Sequence, residues 1–236
     1  MFTLFDYLPS QNGWKVRQLL AHLGRPYRTE LVAIFDGEGQ NADFLRINPT
    51  GTVPAIRLDD GRTLAESNAI LAFLAEGTPY LPGDAFARAK VLQWLSFEQE
   101  RVESTIGALR HWRLTGKLGR RPPELVAMKH EAALRALALL DAELETRAFI
   151  AGDAYTIADI AVFAYAAHAE EAGCAVHGLA RFDRWLARVR AQPGHLATTY
   201  AYATDPHSSR ELPRAPLRVA SAAAPASAGR DVAGPG

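Results

Sequence analysis

The sequence predicts two domains, an α/β N-terminal domain of order βαβαββα and an all-α C-terminal helical domain. Three observations lead there. Over residues 1–76, short β-like runs alternate with stretches of helical periodicity. A breaker-rich segment at 77–84, Gly-Thr-Pro-Tyr-Leu-Pro-Gly-Asp, then reads as a linker. From 85 to 204 the apolar spacing is helical only, and from 205 to 236 it dissolves into Pro, Ala, Ser, Gly and Arg.

Thr3–Tyr7 is a β-like run. Gly13–Leu23 places Val16, Leu19, Leu20 and Leu23 at helical spacing before Gly24 stops it. Tyr27–Val32 reads as a second strand and Ala42–Ile47 as a brief helix. Asn48-Pro49-Thr50-Gly51 signals a turn, and Val53-Pro54 leads into a strand at Ala55–Leu58. The hairpin signal Asp59-Asp60-Gly61 returns the chain to Thr63–Leu64, and Glu66–Ala75 is a helix with Ile70, Leu71 and Leu74 on one face. Such an order describes a small mixed sheet with helices on its faces and a right-handed first crossover. Four helices follow the linker, at Ala85–Leu114, Glu124–Arg147, Ile157–Glu171 and Arg181–Ala191. Thr156-Ile157-Ala158-Asp159 is a capping box opening the third of them. The tail cannot bury enough apolar surface to offset its ordering entropy and is expected to be disordered.

Composition narrows the function classes. A hydrophobic share of 48% and a charged share of 22% are those of a soluble globular chain. A net charge of +0 gives no electrostatic reason to expect nucleic acid or an anionic membrane. No signal peptide and no apolar run long enough for a membrane span are found. A single cysteine, Cys174, rules out an intrachain disulfide framework and any Cys-x-x-Cys motif, consistent with a cytoplasmic location. No histidine, His111 and His168 included, sits in a metal-ligand spacing, so no metal is expected.

The stretch from Asn48 to Asn68 carries the clearest chemistry. A carboxylate and a hydroxyl, Glu66-Ser67, stand at a helix start whose backbone N–H groups lack partners; together they suit the ammonium and carboxylate of a peptide-like ligand. Combined with the domain order and the late capping box, this stretch resembles the cytosolic glutathione transferases over residues 1 to about 202. The resemblance implies a thioredoxin-like first domain and a cis Val53-Pro54 bond. Thr52, Val53 and Pro54 would then present a backbone edge to the cysteinyl unit of glutathione, and Glu66 and Ser67 would hold its γ-glutamyl end. It also implies a homodimer that pairs the small domain of one subunit with the helical domain of the other, a role in detoxification, and glutathione as co-substrate with no metal.

The family's catalytic position lies just after the first strand, here Tyr7-Leu8-Pro9-Ser10-Gln11-Asn12-Gly13-Trp14-Lys15-Val16-Arg17. Glutathione must lose its thiol proton to react, and a hydroxyl near a helix N-terminus stabilises the thiolate. Ser10 is the expected donor, Asn12 a second polar contact and Tyr7 the rival. Ser10, Trp14, Val16 and Arg17 resemble the zeta-class isomerase pattern, although its cysteine is missing. Ser10, Asn12, Gly13 and Lys15 resemble the bacterial Nu-class pattern of disulfide-reducing enzymes, with serine replacing the commoner threonine. The reading adopted is a generic or Nu-like transferase acting on a small electrophile or disulfide. Reductase or peroxidase, maleylacetoacetate isomerase and a non-catalytic binding module are the alternatives. The acceptor is expected between the domains, with Glu103, Leu109, Arg110, Trp112 and Arg113 as candidates. Trp94 and Phe97 read as core or dimer packing.

Overall fold

A computed structural model describes residues 1–198 and 200, so the predicted tail at 205–236 lies outside the described residues. The first domain contains β1 (Phe2–Asp6), α1 (Gln11–Leu23), β2 (Arg28–Leu31), α2 (Ala42–Ile47), β3 (Ala55–Leu58), β4 (Thr63–Ala65) and α3 (Ser67–Ala75). Its sheet runs β2-β1-β3-β4. β1 pairs parallel with β2, while β3 lies antiparallel to both β1 and β4. Parallel neighbours need a crossover, which α1 supplies; Asp59-Asp60-Gly61 turns the antiparallel hairpin, with Gly61 at φ 86°. Two short 3-10 turns, Ile34–Asp36 and Glu38–Gln40, fill the connection from β2 to α2 and carry no helical periodicity in the sequence.

The second domain opens with one long rod. It begins as α4 (Ala85–Phe97), passes through a π-helical stretch at Glu98–Gly107 and ends as α5 (Ala108–Leu114). α6 (Pro123–Glu143), α7 (Ile157–Ala166) and α8 (Ala180–Arg190) complete it. Two predicted helices are shorter than expected. α6 stops at Glu143, four residues before Arg147. α7 stops at Ala166 because the next N–H groups, of His168 and Ala169, bond three residues back rather than four, which tightens the chain into turns before Gly173.

The capping box forms as expected: Thr156 accepts from the Ala158 N–H at 3.3 Å and Asp159 accepts from the Thr156 N–H at 3.0 Å. Asp159 also accepts from the Ile150 N–H and the Trp185 indole, so one fully buried carboxylate ties α7 to α8 and to the chain before it.

The two domains share an apolar core. Leu4, Leu19, Leu20, Ile70, Leu71, Val91, Trp94, Val102 and Phe163 belong to a single cluster. Trp14 of α1 stacks on Phe163 of α7 at 5.6 Å and donates its indole N–H to Leu196 O at 3.1 Å. The linker is pinned, since Tyr80 stacks on His22 and its carbonyl accepts from the Ile157 N–H at 3.0 Å. A smaller cluster of Phe5, Val32, Phe44, Val53 and Ala55 lies beneath α2.

Candidate active site

β1 delivers the chain to a turn in which Ser10 N–H donates to Tyr7 O at 2.7 Å. Ser10 is the N-cap of α1, and its Oγ accepts from the Gly13 N–H at 3.2 Å. A hydroxyl has one proton and two lone pairs. Capping uses a lone pair and keeps the proton for an acceptor outside the helix, so the cap and the thiol-donor roles coexist in one side chain. No acidic residue of α1 itself stands in its first turn, although the buried Asp6 carboxylate of β1 lies against Gly13 there.

A buried frame holds this loop. Arg17 Nε lies 3.0 Å from Asp6 Oδ2 in an ion pair, and Arg17 Nη2 donates to Leu8 O at 2.8 Å. Asp6 also accepts from the Tyr7 N–H at 2.8 Å. Burial pushes the Asp6 carboxyl up, against the pull of the Arg17 guanidinium. Gly13 is required here, because a Cβ at that position would lie 1.8 Å from Asp6 Oδ1.

The Val53-Pro54 bond is cis, as the resemblance implied. Among the described residues no backbone group pairs with the Val53 N–H or C=O, so the edge preceding β3 is open to an added strand. Buried Asn48 braces the turn before it: its Nδ2 donates to Thr52 O at 2.8 Å and its Oδ1 accepts from the Thr50 N–H at 3.1 Å. Thr52 thus contributes to the shape of the edge through its carbonyl.

Glu66 stands exposed at φ 68°, a left-handed value that a side chain with a Cβ rarely adopts. A conformation of this kind costs about 1–3 kcal/mol and clusters at ligand sites. Ser67 begins α3, and its Oγ lies 3.1 Å from Asn12 Oδ1. That contact joins the start of α1 to the start of α3. Tyr7 packs on the same cluster as Val53, with its ring edge-on to Phe35 at 5.5 Å. Asn12 and Ser67 therefore meet directly, Ser10 caps the helix that carries Asn12, and Tyr7 adjoins the Val53 edge.

Two participants, Glu98 and Asn68, went unread in the sequence, and Lys15 was read only as a match to the Nu-class pattern. Lys15 is fully buried and sits 2.9 Å from the fully buried carboxylate of Glu98, as an ion pair rather than an aligned hydrogen bond. Its Nζ also lies 3.4 Å from Ser67 Oγ and 3.6 Å from Glu103 Oε2. Asn68 Nδ2 donates to Glu98 Oε2 at 2.9 Å, and Asn12 Nδ2 donates to Glu103 Oε1 at 2.7 Å. Burial raises the Glu98 carboxyl above the usual range, opposed by Lys15 and reinforced by Glu103. Beside that pattern, a lysine among apolar neighbours in α1 was the visible signal, and its partner lies 83 residues away in the π-helical stretch.

An apolar groove of about 480 Å³ adjoins the loop, lined by Tyr7, Leu8, Pro9, Leu31, Val32 and Tyr200 among others. Among the acceptor candidates on the long rod, only Glu103 reaches the Ser10–Asn12 region. Leu109 is core, Arg110 is paired with Glu171 at 2.8 Å, and Arg113 donates to Ala172 O at 3.0 Å. Trp112 lies under Arg121 and Lys129 instead. Trp94 and Phe97 pack edge-to-face at 4.9 Å, with Trp94 in the core. Burial raises the Cys174 thiol, which disfavours its reactive thiolate. Among the described residues no group of His, Cys, Asp and Glu is arranged to hold a metal, and no helix is long and apolar enough to cross a membrane.

Residues 9–76 match the glutathione S-transferase N-terminal domain, and residues 100–193 match the C-terminal domain. The chain is 31% identical to glutathione S-transferase GstB of Escherichia coli K12 over 205 residues, covering 82% of this chain and 95% of that protein. It is 31% identical over 172 residues to the disulfide-bond oxidoreductase YghU of the same organism, covering 66% of this chain and 57% of that one. A glutathione transferase family member from Pseudomonas fluorescens Pf-5, solved with two glutathione molecules bound, superposes with a TM-score of 0.70 at 29% identity, covering 82% of this chain and 89% of that one.

Proposed function

Because the chain belongs to the glutathione S-transferase family, we propose that Ser10 and Asn12 convert the thiol of bound glutathione to a thiolate. The chain is a glutathione transferase with a thioredoxin-like first domain. The observation that carries the proposal is Ser10 at the N-cap of α1, its oxygen on the Gly13 N–H and its proton available to a sulfur. The positive end of the α1 dipole acts in the same direction. Tyr7 takes second place, since it follows β1 before Leu8-Pro9 and caps no helix.

Glutathione lies along the open Val53 edge, its cysteinyl backbone pairing there as an added strand. Glu66 meets the γ-glutamyl ammonium, and the first N–H groups of α3 beside Ser67 meet its carboxylate. The strained φ of Glu66 fits a residue held for a ligand rather than for the helix. The thiolate then attacks a small apolar electrophile seated in the groove by Tyr7, Leu8 and Pro9. Attack on a disulfide is the second reading, favoured by the Ser10, Asn12, Gly13 and Lys15 pattern and by the likeness to a disulfide-bond oxidoreductase. There the sulfur–sulfur bond breaks and the departing half leaves as a thiolate.

The enzyme works as a cytoplasmic homodimer in detoxification. Exposed apolar residues on α3 (Phe73) and α4 (Phe86 and Leu92) support a subunit interface on those two helices. The test is a turnover panel with a halonitrobenzene, a mixed disulfide, a peroxide and maleylacetone, run on the wild type and Ser10→Ala. One charge-assisted hydrogen bond predicts a 10- to 100-fold fall for Ser10→Ala on the active substrate. Unchanged turnover removes Ser10 as the activator.

A further inference from the structure

Four polar groups beside the proposed thiol site close into a ring with a fixed direction. Lys15 is donor-only. Its Nζ, at a long 3.4 Å, makes Ser67 Oγ an acceptor, and the Ser67 proton then points to Asn12 Oδ1 at 3.1 Å. With the Asn12 carbonyl so engaged, its –NH₂ group turns to Glu103 Oε1 at 2.7 Å. Glu103 Oε2 returns to Lys15 Nζ at 3.6 Å and closes the ring. A lysine at one end and a carboxylate at the other impose the same polarity on the two groups between them. The amide of Asn12 cannot flip without facing its carbonyl oxygen to a carboxylate and taking away the acceptor of the Ser67 proton.

We infer that Lys15, anchored by Glu98, is a positioning residue that fixes the Asn12 amide with its N–H₂ group, not its oxygen, available to the sulfur of glutathione. The inference rests on the thiolate reading given above. Glutathione's thiolate needs donors, and an –NH₂ group carries two hydrogens, of which Glu103 takes one. A flipped amide would present an acceptor and repel the anion. Glu98 keeps Lys15 in place from the opposite side: it lies 2.9 Å away and is itself held by Asn68 at 2.9 Å. Lys15 touches neither substrate in this account; it acts through Ser67 and Asn12. The two carboxylates come from the π-helical stretch of the long rod, so the second domain orients a group of the first.

Charge alone would also alter the thiol, so the variants are chosen to separate the two effects. Lys15→Met with Glu98→Gln removes one positive and one negative charge, keeps the net charge and leaves no buried unpaired ion. The apparent thiol pKa of bound glutathione is read by thiolate absorbance against pH, alongside glutathione affinity by calorimetry and the urea midpoint. The expected result is a rise of about one pH unit, hence about tenfold less thiolate below the pKa, with glutathione affinity within threefold of wild type. If the double variant does not fold, Glu103→Leu at the part-exposed end of the ring serves instead. Removing its negative charge should by itself lower the thiol pKa, whereas losing the orientation raises it; Glu103→Gln, which loses the charge but keeps a carbonyl to accept from Asn12, should therefore lower it. A wild-type thiol pKa from a folded double variant, or a lowered one from Glu103→Leu, overturns the role of Lys15. A wild-type complex with no thiolate at all overturns the underlying reading instead, so the two failures are distinct.

Discussion

Substituting alanine for Gly13 sets two opposed effects against each other. Inside a helix alanine is favoured over glycine by at most about 1 kcal/mol. The added Cβ, however, would sit 1.8 Å from Asp6 Oδ1 and 2.8 Å from Asp6 Cγ. Asp6 is fully buried and fixed by the Tyr7 N–H and by Arg17, so it has nowhere to swing. Overpacking costs about 1–3 kcal/mol, and weakening a charge-assisted hydrogen bond about 1.5–3 kcal/mol. The net effect is a loss of about 3 kcal/mol, or a fall in Tm of about 6 to 12 °C for a chain of this size. Thermal and urea unfolding at neutral pH read the loss. Activity should fall with it, because the Gly13 N–H is the group that Ser10 caps. In an Asp6→Ala background the same substitution should cost under about 1 kcal/mol, since the three nearest atoms all belong to Asp6. A Gly13→Ala protein as stable as wild type would mean that Asp6 does not confine this position.

Other outcomes follow from the same contacts. Glu66→Gly relieves a left-handed φ of 68° and should raise stability by up to about 1 kcal/mol while weakening glutathione binding, read by urea midpoint and calorimetry. Burial pushes the Asp159 carboxyl up to about 6, so the folded state binds this proton more tightly than the unfolded state. Its contribution to stability therefore falls as pH rises from about 4 to about 6, by about 3 kcal/mol in all. The stability of wild type minus that of Asp159→Asn should show this slope, and a flat difference would contradict it. Phe86, 77% exposed on α4, tests the proposed dimer: if the wild type is dimeric, Phe86→Glu should yield monomers by light scattering with the helical content unchanged.

Much of this was legible because the elements follow local rules. β3 and α2 occupy the residues that their turn signals and apolar spacing bound, and the Thr156–Asp159 box forms where its motif stands. The long rod was legible as one helix because its periodicity runs unbroken from 85 to 114. Its π-helical middle was not, since i→i+5 bonding leaves no pattern in composition. Glu98 and Glu103 read like a solvated helix face until α1 brings Lys15 against them. Arg110 and Trp112 misled for the opposite reason: polar and aromatic side chains on a helix bordering a cleft suit a site, yet Glu171, Arg121 and Lys129 engage them elsewhere. Pairings between residues 50 to 100 apart are set by packing, which spacing alone does not encode.

The ionisation of bound glutathione is the measurement on which the role of Ser10 stands or falls. A free cysteine thiol titrates near 8.5. Thiolate absorbance of the wild-type complex should develop well below that pH, and Ser10→Ala should return the titration toward it by about one pH unit or more. A bound thiol that titrates like the free one, or a titration indifferent to Ser10→Ala, would contradict that role.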